Sequence, residues 1–178
     1  IIRADETLSM LTAAFKGMEK RPARNLRALS AGFDVCIIDT PGSIGFNPPM
    51  TLAALVAADA VVCPISIGLY EGKGLADLWA YLKSVRTAAY NPRLRLMGLL
   101  PSKVNTRSRE EMEALQMLRK QFGSVILPLM LAERASVKQA VMRLKPVWRG
   151  TRGAGHLAAA REWKEACDYI LADLEKKG

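Results

Sequence analysis

A carboxylate at the end of an apolar run is the group in this chain best placed to do chemistry. The run Phe33–Asp39 is followed directly by Thr40, Pro41 and Gly42. Its composition predicts a buried parallel strand that stops at a turn, where a carboxylate is costly unless a cation or hydrogen-bond donors compensate it. In nucleoside-triphosphate hydrolysis such an acid holds Mg²⁺, directly or through water, and the glycine that follows can swing toward the γ-phosphate. The structural alternative is an Asp that caps the next helix or turn.

Two other segments imitate nucleotide-binding motifs less closely. Gly68–Gly74 has the setting of a phosphate loop, but it is one residue short, Glu71 would repel phosphate, and Gly74 stands where a hydroxyl is required. We therefore interpret this segment as a chance resemblance and not as a phosphate-binding loop. The run 102–105, Ser-Lys-Val-Asn, imitates a guanine-reading motif, but the amide of Asn105 supplies a donor where guanine needs a second acceptor. Adenine, or no base preference, is therefore expected.

The positive charge of the chain is concentrated in two tracts that contain no acidic residue. The net charge is +9; seven basic residues lie between Leu78 and Arg109, whereas Ala31 to Tyr70 has none. Such tracts can neutralise duplex phosphates and release counterions, although a merely solvated surface is the alternative. The second tract comprises Arg134, Lys138, Arg143, Lys145, Arg149 and Arg152.

Length and composition limit the class of protein. The 178 residues, 50% apolar and 24% charged, predict a single domain over residues 1–178 with a substantial core. No apolar run reaches the roughly 18 residues that cross a bilayer, and no signal sequence is recognisable at the start. Three widely separated cysteines favour neither disulfides nor a metal cluster. We therefore expect a cytosolic protein, and the first residue, Ile1, suggests that the native chain is longer.

The elements that position these residues alternate between helical and strand patterns. Helical spacing is found at Leu8 to Met18, ending near Arg21-Pro22, and again at 26–29, 50–58, 75–85, 109–122, 137–144 and 163–174. Strands are predicted at 33–39, 60–67, 94–100 and 124–128. Ser108 and Glu111 form a capping-box signature, and Gly123 predicts the end of that helix. The alternation predicts an α/β fold with a doubly wound, mainly parallel sheet and helices on both faces, which binds ligands beyond the carboxyl ends of its strands.

In their order and spacing, these segments resemble the C-terminal two-thirds of the ParA/MinD family of deviant Walker (P-loop) ATPases, most of all the partition protein ParA of plasmids and chromosomes. The resemblance runs from about Leu8 to Leu174. Its anchors are the segments Phe33–Gly42, Leu55–Ile65, Gly72–Leu75 and Gly98–Leu100 with Arg107 following, and Arg134–Ser136 leading to Lys145–Val147.

The resemblance implies an ATPase that uses ATP and Mg²⁺, forms a homodimer with ATP, and binds duplex DNA without sequence preference. It further implies a centromere-binding, ParB-like partner that stimulates hydrolysis, and a nucleoid-associated location in the cytoplasm. Asp39 matches the Mg²⁺-associated acid, and Thr40 and Gly42 match the switch that senses the γ-phosphate. Ser102 falls near the place where relatives contact adenine, and Arg107 matches a recurrent arginine of the family just beyond it; both are therefore expected to bind the nucleotide. The second basic tract, Arg134 to Arg152, is similar to the region that relatives use on DNA.

The chain also departs from the family pattern. The lysine-containing phosphate loop, the Walker A segment, does not occur in it, and the family places that loop upstream of where this sequence begins. Either the loop is missing only from this sequence, in which case the complete gene should encode it upstream, or the chain is a degenerate relative of the family. Two alternatives stay open: a hydrolysis-deficient DNA-binding or adaptor module of the same fold, and a MinD-like membrane-cycling ATPase. Glu165, Asp173 and Glu175 on the last helix weaken attraction to anionic lipid, so no membrane contact is expected.

Overall fold

A computed structural model of the chain describes residues 20–29, 32–40, 49–68, 72–150 and 152–176. They fall into two compact units, one drawn from Ile1–Val61 and Leu75–Leu96 and the other from Val62–Gly74 and Met97–Gly178. The helices are α1 (Lys20–Leu29), α2 (Pro49–Ala57), α3 (Gly72–Thr87), α4 (Arg109–Phe122), α5 (Ala135–Met142) and α6 (Ala154–Glu175). The strands are β1 (Ala60–Ser66), β2 (Arg95–Val104) and β3 (Leu131–Ala132). That residues 1–178 form a single domain remains a prediction.

In the first unit, one asparagine ties together the ends of two helices. The side-chain amide of Asn91 donates to the carbonyl oxygens of Leu55 at 2.9 Å and Ala58 at 2.7 Å, at the end of α2. Its backbone N–H donates to the carbonyl of Val85 in α3 at 3.0 Å. The last carbonyls of a helix have no partner within the helix, so these bonds satisfy groups that burial would otherwise leave unpaired. Asn91 therefore holds the turn between α3 and β2 against α2.

The second unit contains most of a three-stranded sheet in the order β1-β2-β3. Strands β2 and β3 are parallel, with Ser102 opposite Leu131 and Val104 opposite Ala132, and the register is irregular between these pairs. Helix α6 packs on β3 and on α5. The hydrophobic core of the second unit contains Leu100, Leu127, Leu131 and Ala166. The partly buried side chains of Val62, Leu129 and Trp163 pack against it. The predicted parallel α/β arrangement is confirmed.

The ends of α4 follow the sequence prediction closely. Oγ of Ser108 accepts a hydrogen bond from the backbone N–H of Glu111 at 3.2 Å. The helix stops at Gly123, whose φ of 55° lies in the left-handed region that glycine adopts at little cost. The predicted helices at 50–58 and 75–85 and the strands at 60–67 and 94–100 are likewise confirmed, each within a few residues.

The buried strand predicted at Phe33–Asp39 is wrong. Residues 35–40 belong to no strand or helix, and the side chains of Phe33 and Ile37 are 75% and 89% exposed. An apolar run is buried in a sheet only when strands pair with it on its edges and helices cover its faces. Within the described ranges no strand is hydrogen-bonded to this segment.

Two further predictions need correction, and one falls outside the described residues. The strand predicted at 124–128 is a 3₁₀ turn, Gly123–Val125, followed by a single bridge from Ile126 to Leu99. Nη2 of Arg119 donates to the carbonyls of Pro128 and Leu129 at 3.0 and 3.3 Å, so a guanidinium replaces a neighbouring strand. The chain is helical through Arg21 and Pro22, where a helix end was predicted. The helix predicted at Leu8 to Met18 lies outside the described residues.

At Gly98, β2 approaches the neighbouring segment of the chain too closely for a larger residue, which leads to a stability prediction. Its φ is +133°, and a Cβ atom would lie 2.9 Å from both Cδ2 of Leu127 and the carbonyl oxygen of Val125. We expect Gly98→Ala to lower the free energy of unfolding by about 2 to 4 kcal/mol, because it adds backbone strain to a steric clash. Urea denaturation measures the change.

Gly155→Ala is the matched control for this substitution. Gly155 lies in the first turn of α6, and a methyl group added there would meet no atom of the described residues within 4 Å, apart from the adjoining helix backbone. The same change there should be neutral or should stabilise by up to about 1 kcal/mol, as alanine does in helices. Equal effects at the two positions would contradict the steric explanation.

Candidate functional site

The predicted Mg²⁺-associated acid lies in the first unit, near the end of the exposed segment 32–40. Asp39 and Thr40 are both exposed, whereas Gly42 lies outside the described residues. No group of three or more His, Cys, Asp or Glu able to hold a metal ion occurs among the described residues. One carboxylate next to one hydroxyl nevertheless suits Mg²⁺, which keeps several waters and takes its other ligands from substrate phosphates. The donor set at 39–40 therefore fits a magnesium-nucleotide complex.

The two residues predicted to lie near the base belong to the second unit, at the end of β2. Ser102 is half-buried and pairs with Leu131 of β3, while Pro101 before it is fully buried. Lys103 has a φ of 55°, unusual for a residue with a side chain, and it is exposed. Arg107 follows in an exposed turn. Ser102 is thus fixed by the sheet, and Arg107 projects from the loop that the strand leads into.

Hydrogen bonds that the sequence analysis missed hold this loop in place. The backbone N–H of Asn105 donates to Oε2 of Glu111 at 2.8 Å, and Oδ1 of Asn105 accepts from the N–H of Arg107 at 3.1 Å. The N–H of Ser108 donates to the carbonyl of Asn105 at 3.0 Å. The carboxylate of Glu111 thus binds Asn105, whereas a complete capping box would direct it to Ser108. An asparagine three residues before an N-cap was the available signal, because asparagine often closes such turns.

The first residue of the second basic tract is held in an ion pair. Nε of Arg134 donates to both carboxylate oxygens of Glu162 in α6, at 3.1 and 3.2 Å, and Nη2 makes a third bond. Glu162 also accepts from the N–H of Ala132 in β3 at 3.3 Å. The hydrogen bond to Glu162 raises the pKa of Arg134. Arg134 therefore joins α6 to the end of β3, and its charge is compensated.

Lys138 is also paired. Its Nζ lies 2.7 Å from Oε1 of Glu133, the residue immediately before the tract, and both side chains are largely exposed. The hydrogen bond from Lys138 and its positive charge lower the pKa of Glu133. In the first tract, Arg109 pairs in the same way with Glu113 at 2.7 Å. The absence of acids from a stretch of sequence thus does not prevent pairing with acids outside it.

Four cations of the second tract remain available, and we call them the basic loop: Arg143, Lys145, Arg149 and Arg152. All four are exposed, and no carboxylate of the described residues lies within 4.0 Å of them. The loop follows α5, with the N–H of Lys145 bonded to the carbonyl of Ala140 at 3.1 Å and that of Arg149 to Pro146 at 3.0 Å. Buried Val147 anchors it. The basic loop is therefore a fixed and uncompensated positive surface.

The cysteines offer no nucleophile buried in a site. Burial raises the pKa of the Cys63 thiol from 9.0 to about 11, so that it is protonated at neutral pH. Burial and the nearby Asp168 likewise raise the pKa of Cys167. Among the helices that the structure describes, none is both long enough and apolar enough to span a bilayer.

Residues 1–96 match the AAA_31 family, described as an AAA domain. Over 176 residues the chain is 31% identical to protein IncC of Escherichia coli, an alignment that covers 98% of this chain and 48% of IncC. It is 35% identical over 133 residues to the chromosome-partitioning ATPase Soj of Thermus thermophilus, covering 71% of this chain and 52% of Soj. The chain thus spans about half the length of these curated relatives.

Solved structures show the same fold. The cobyrinic acid a,c-diamide synthase of Mycobacterium smegmatis, solved with an ATP analogue and magnesium, is similar with a TM-score of 0.70 at 23% identity, covering 96% of this chain and 59% of the synthase. The McdA–ATP complex of Cyanothece is similar with a TM-score of 0.70 at 19% identity, covering 93% of this chain and 60% of McdA. These likenesses confirm the P-loop NTPase-like α/β fold. The match of residues 1–96 to the AAA domain, with the similarity to IncC and Soj, places the chain in the ParA/MinD family of P-loop ATPases.

Proposed function

We propose that this chain is the switch-containing and DNA-binding part of a partition ATPase that hydrolyses ATP with Mg²⁺. The observation that carries the proposal is the match of residues 1–96 to the AAA domain, a span that includes Asp39, Thr40 and Gly42. The similarity to protein IncC and to the chromosome-partitioning ATPase Soj adds support. The roles of Asp39, Thr40 and Gly42 follow from the resemblance of the segment Phe33–Gly42 to the corresponding motif of ParA/MinD ATPases.

Each residue has a distinct task in this proposal. Bound Mg²⁺ would neutralise charge on the phosphates of ATP and orient them. The carboxylate of Asp39 accepts hydrogen bonds from water or binds the ion, and its exposed position leaves it free to do so. Thr40 and Gly42 belong to the switch that senses whether the γ-phosphate of ATP is present. The resemblance assigns Ser102, fixed in β2, to the adenine, and it assigns Arg107, on the loop held by Asn105 and Glu111, to the position just beyond it.

The basic loop supplies the contact with duplex DNA. Its four cations have no carboxylate within 4.0 Å in the described ranges, so binding phosphate does not require breaking an existing ion pair. Such contacts release counterions and do not read sequence. Arg134 and Lys138 contribute less, because Glu162 and Glu133 already compensate them.

The remaining parts of the proposal concern assembly. A homodimer with ATP, a centromere-binding, ParB-like partner that stimulates hydrolysis, and a nucleoid-associated location in the cytoplasm follow from the similarity to partition proteins. The apolar side chains of Met142 and Leu144, 84% and 93% exposed beside the basic loop, provide additional surface for such a partner.

Turnover and DNA binding by the complete gene product test the proposal together. We expect ATP hydrolysis that requires Mg²⁺ and rises when duplex DNA and the centromere-binding protein are added. We also expect co-sedimentation with unrelated duplexes in ATP that is weaker in ADP. Binding without any turnover would favour the hydrolysis-deficient module of the same fold. If the protein neither binds duplex DNA nor hydrolyses ATP, the proposal is overturned.

A further inference from the structure

The outward face of α6 carries an unusual pattern of exposed side chains. Leu157, Arg161, Lys164, Asp168 and Leu171 follow one another at intervals of four, three, four and three residues, so they share one face of the helix. All are exposed, and Leu157 and Leu171 are 60% and 44% exposed. Ala159 and Ala166 on the opposite side are buried in the unit. Along the helix axis, the outward face thus has a leucine at each end and charged side chains between them.

The charges on this face change sign at its midpoint. Arg161 and Lys164 lie in the first half, and Glu165 and Asp168 lie in the second. None of these four groups forms an ion pair within the described ranges, in contrast to their neighbour Glu162. The pattern is its own complement in reverse: Arg161 and Asp168 are equally distant from the midpoint, as are Lys164 and Glu165.

An open cleft runs along the middle of the same face. It has a volume of about 360 Å³ and is lined by Trp148, Ala160, Arg161, Lys164, Glu165 and Asp168. Trp148 comes from the basic loop region and is 45% exposed. Tryptophan and arginine are enriched in protein interfaces, and charged pairs are found mainly at their rims. A polyanion such as DNA does not fit this cleft, because carboxylates line it together with the cations.

We propose that the outward face of α6 binds the same face of a second copy of this chain, with the two helices antiparallel about a twofold axis near Lys164 and Glu165. In such an isologous contact every interaction occurs twice. Arg161 lies opposite Asp168 of the partner subunit and Lys164 opposite Glu165 of the partner subunit, and Leu157 lies within one residue of the position opposite Leu171 of the partner subunit. Trp148 of each copy covers the flank of the contact.

The size of this face sets the strength of the contact. Leu157 and Leu171 are about 21 Å apart along the helix at the usual rise per residue. A contact along this length of one helix is small beside the roughly 1,200 Å² that standard stable interfaces bury. The dimer is therefore weak, dependent on concentration and weakened by salt. It needs no nucleotide, so it is distinct from the homodimer with ATP proposed above.

Charge reversal tests both the contact and its antiparallel register. Without nucleotide, sedimentation equilibrium over about 1 to 500 µM should show a dimer at the upper concentrations for the unaltered chain. Arg161→Asp alone and Asp168→Arg alone each place like charges opposite one another twice, and each should raise the dimer Kd about tenfold or more. In a 1:1 mixture of these two variants every such pair is attractive again, so the mixture should associate.

Controls separate this contact from unspecific effects of charge. Lys120→Asp and Glu110→Arg change equally exposed charges on α4 and should leave the dimer unaltered. Circular dichroism should show unchanged helix content in all variants. A monomer at every concentration, unchanged association of the single variants, or a mixture that stays monomeric would each overturn the proposal. Since no ATP is present, these outcomes do not depend on the proposed ATPase activity.

Discussion

Asp39→Ala should reduce ATP turnover by the complete gene product by about 100-fold or more, without unfolding it. The acid that holds Mg²⁺, directly or through water, acts on charge that develops during phosphoryl transfer, and losses of this size follow when such a group is removed. Because Asp39 is exposed, the free energy of unfolding should change by less than about 0.5 kcal/mol. Steady-state phosphate release measures the first effect, and urea denaturation the second.

Asp34→Ala is the matched control, because Asp34 lies in the same exposed segment and carries the same charge. It should leave turnover within about twofold of the unaltered protein. Unchanged turnover in Asp39→Ala would refute the catalytic role of Asp39. A similar loss in both variants would instead assign the effect to the segment as a whole.

Reversal of three cations in the basic loop should have the second large effect. The triple variant Arg143→Glu, Lys145→Glu, Arg149→Glu should bind duplex DNA about 100-fold more weakly at low salt, and equally so for unrelated sequences. Each lost phosphate contact lowers the slope of log affinity against log salt by about 0.9, so the slope should fall by about 3. Fluorescence anisotropy at several salt concentrations measures both quantities.

A second triple variant separates position from net charge. Lys20→Glu, Arg24→Glu, Lys120→Glu alters three exposed cations outside both basic tracts and changes the net charge by the same amount. If the loop is the DNA contact, this variant retains most of the affinity. Equal losses in the two triple variants would mean that binding depends only on total charge and would contradict the assignment of the loop.

Local patterns in the sequence were sufficient to predict much of the fold. Helix ends at Ser108 and Gly123 and the strands at 60–67 and 94–100 depend on neighbouring residues, and the structure has them where they were predicted. The segment Phe33–Asp39 has the composition of a buried strand but is exposed, because burial depends on elements that its own sequence does not specify. The same limit applies at 124–128, where the side chain of Arg119 takes the place of a strand.

The candidate site shows a related limit. The basic tract was identified as a run of cations without acids, but Arg134 pairs with a carboxylate 28 residues away and Lys138 with one just before the tract. Distance along the chain does not measure distance in the fold, so only the structure separates paired from free cations. The roles of Asp39, Thr40, Gly42, Ser102 and Arg107 stay predictions from the resemblance.

The hydrogen bonds from the Arg119 guanidinium to the carbonyls of Pro128 and Leu129 have a consequence for which substitutions this segment tolerates. The guanidinium serves the carbonyl groups of Pro128 and Leu129 through their backbone, whatever side chains those residues carry. Drift in the side chains at these two positions is therefore tolerated by the hydrogen bonding. Loss of the single arginine removes the protein donor from both carbonyls at once, so the conformation of this segment depends on a helix residue about ten positions before it.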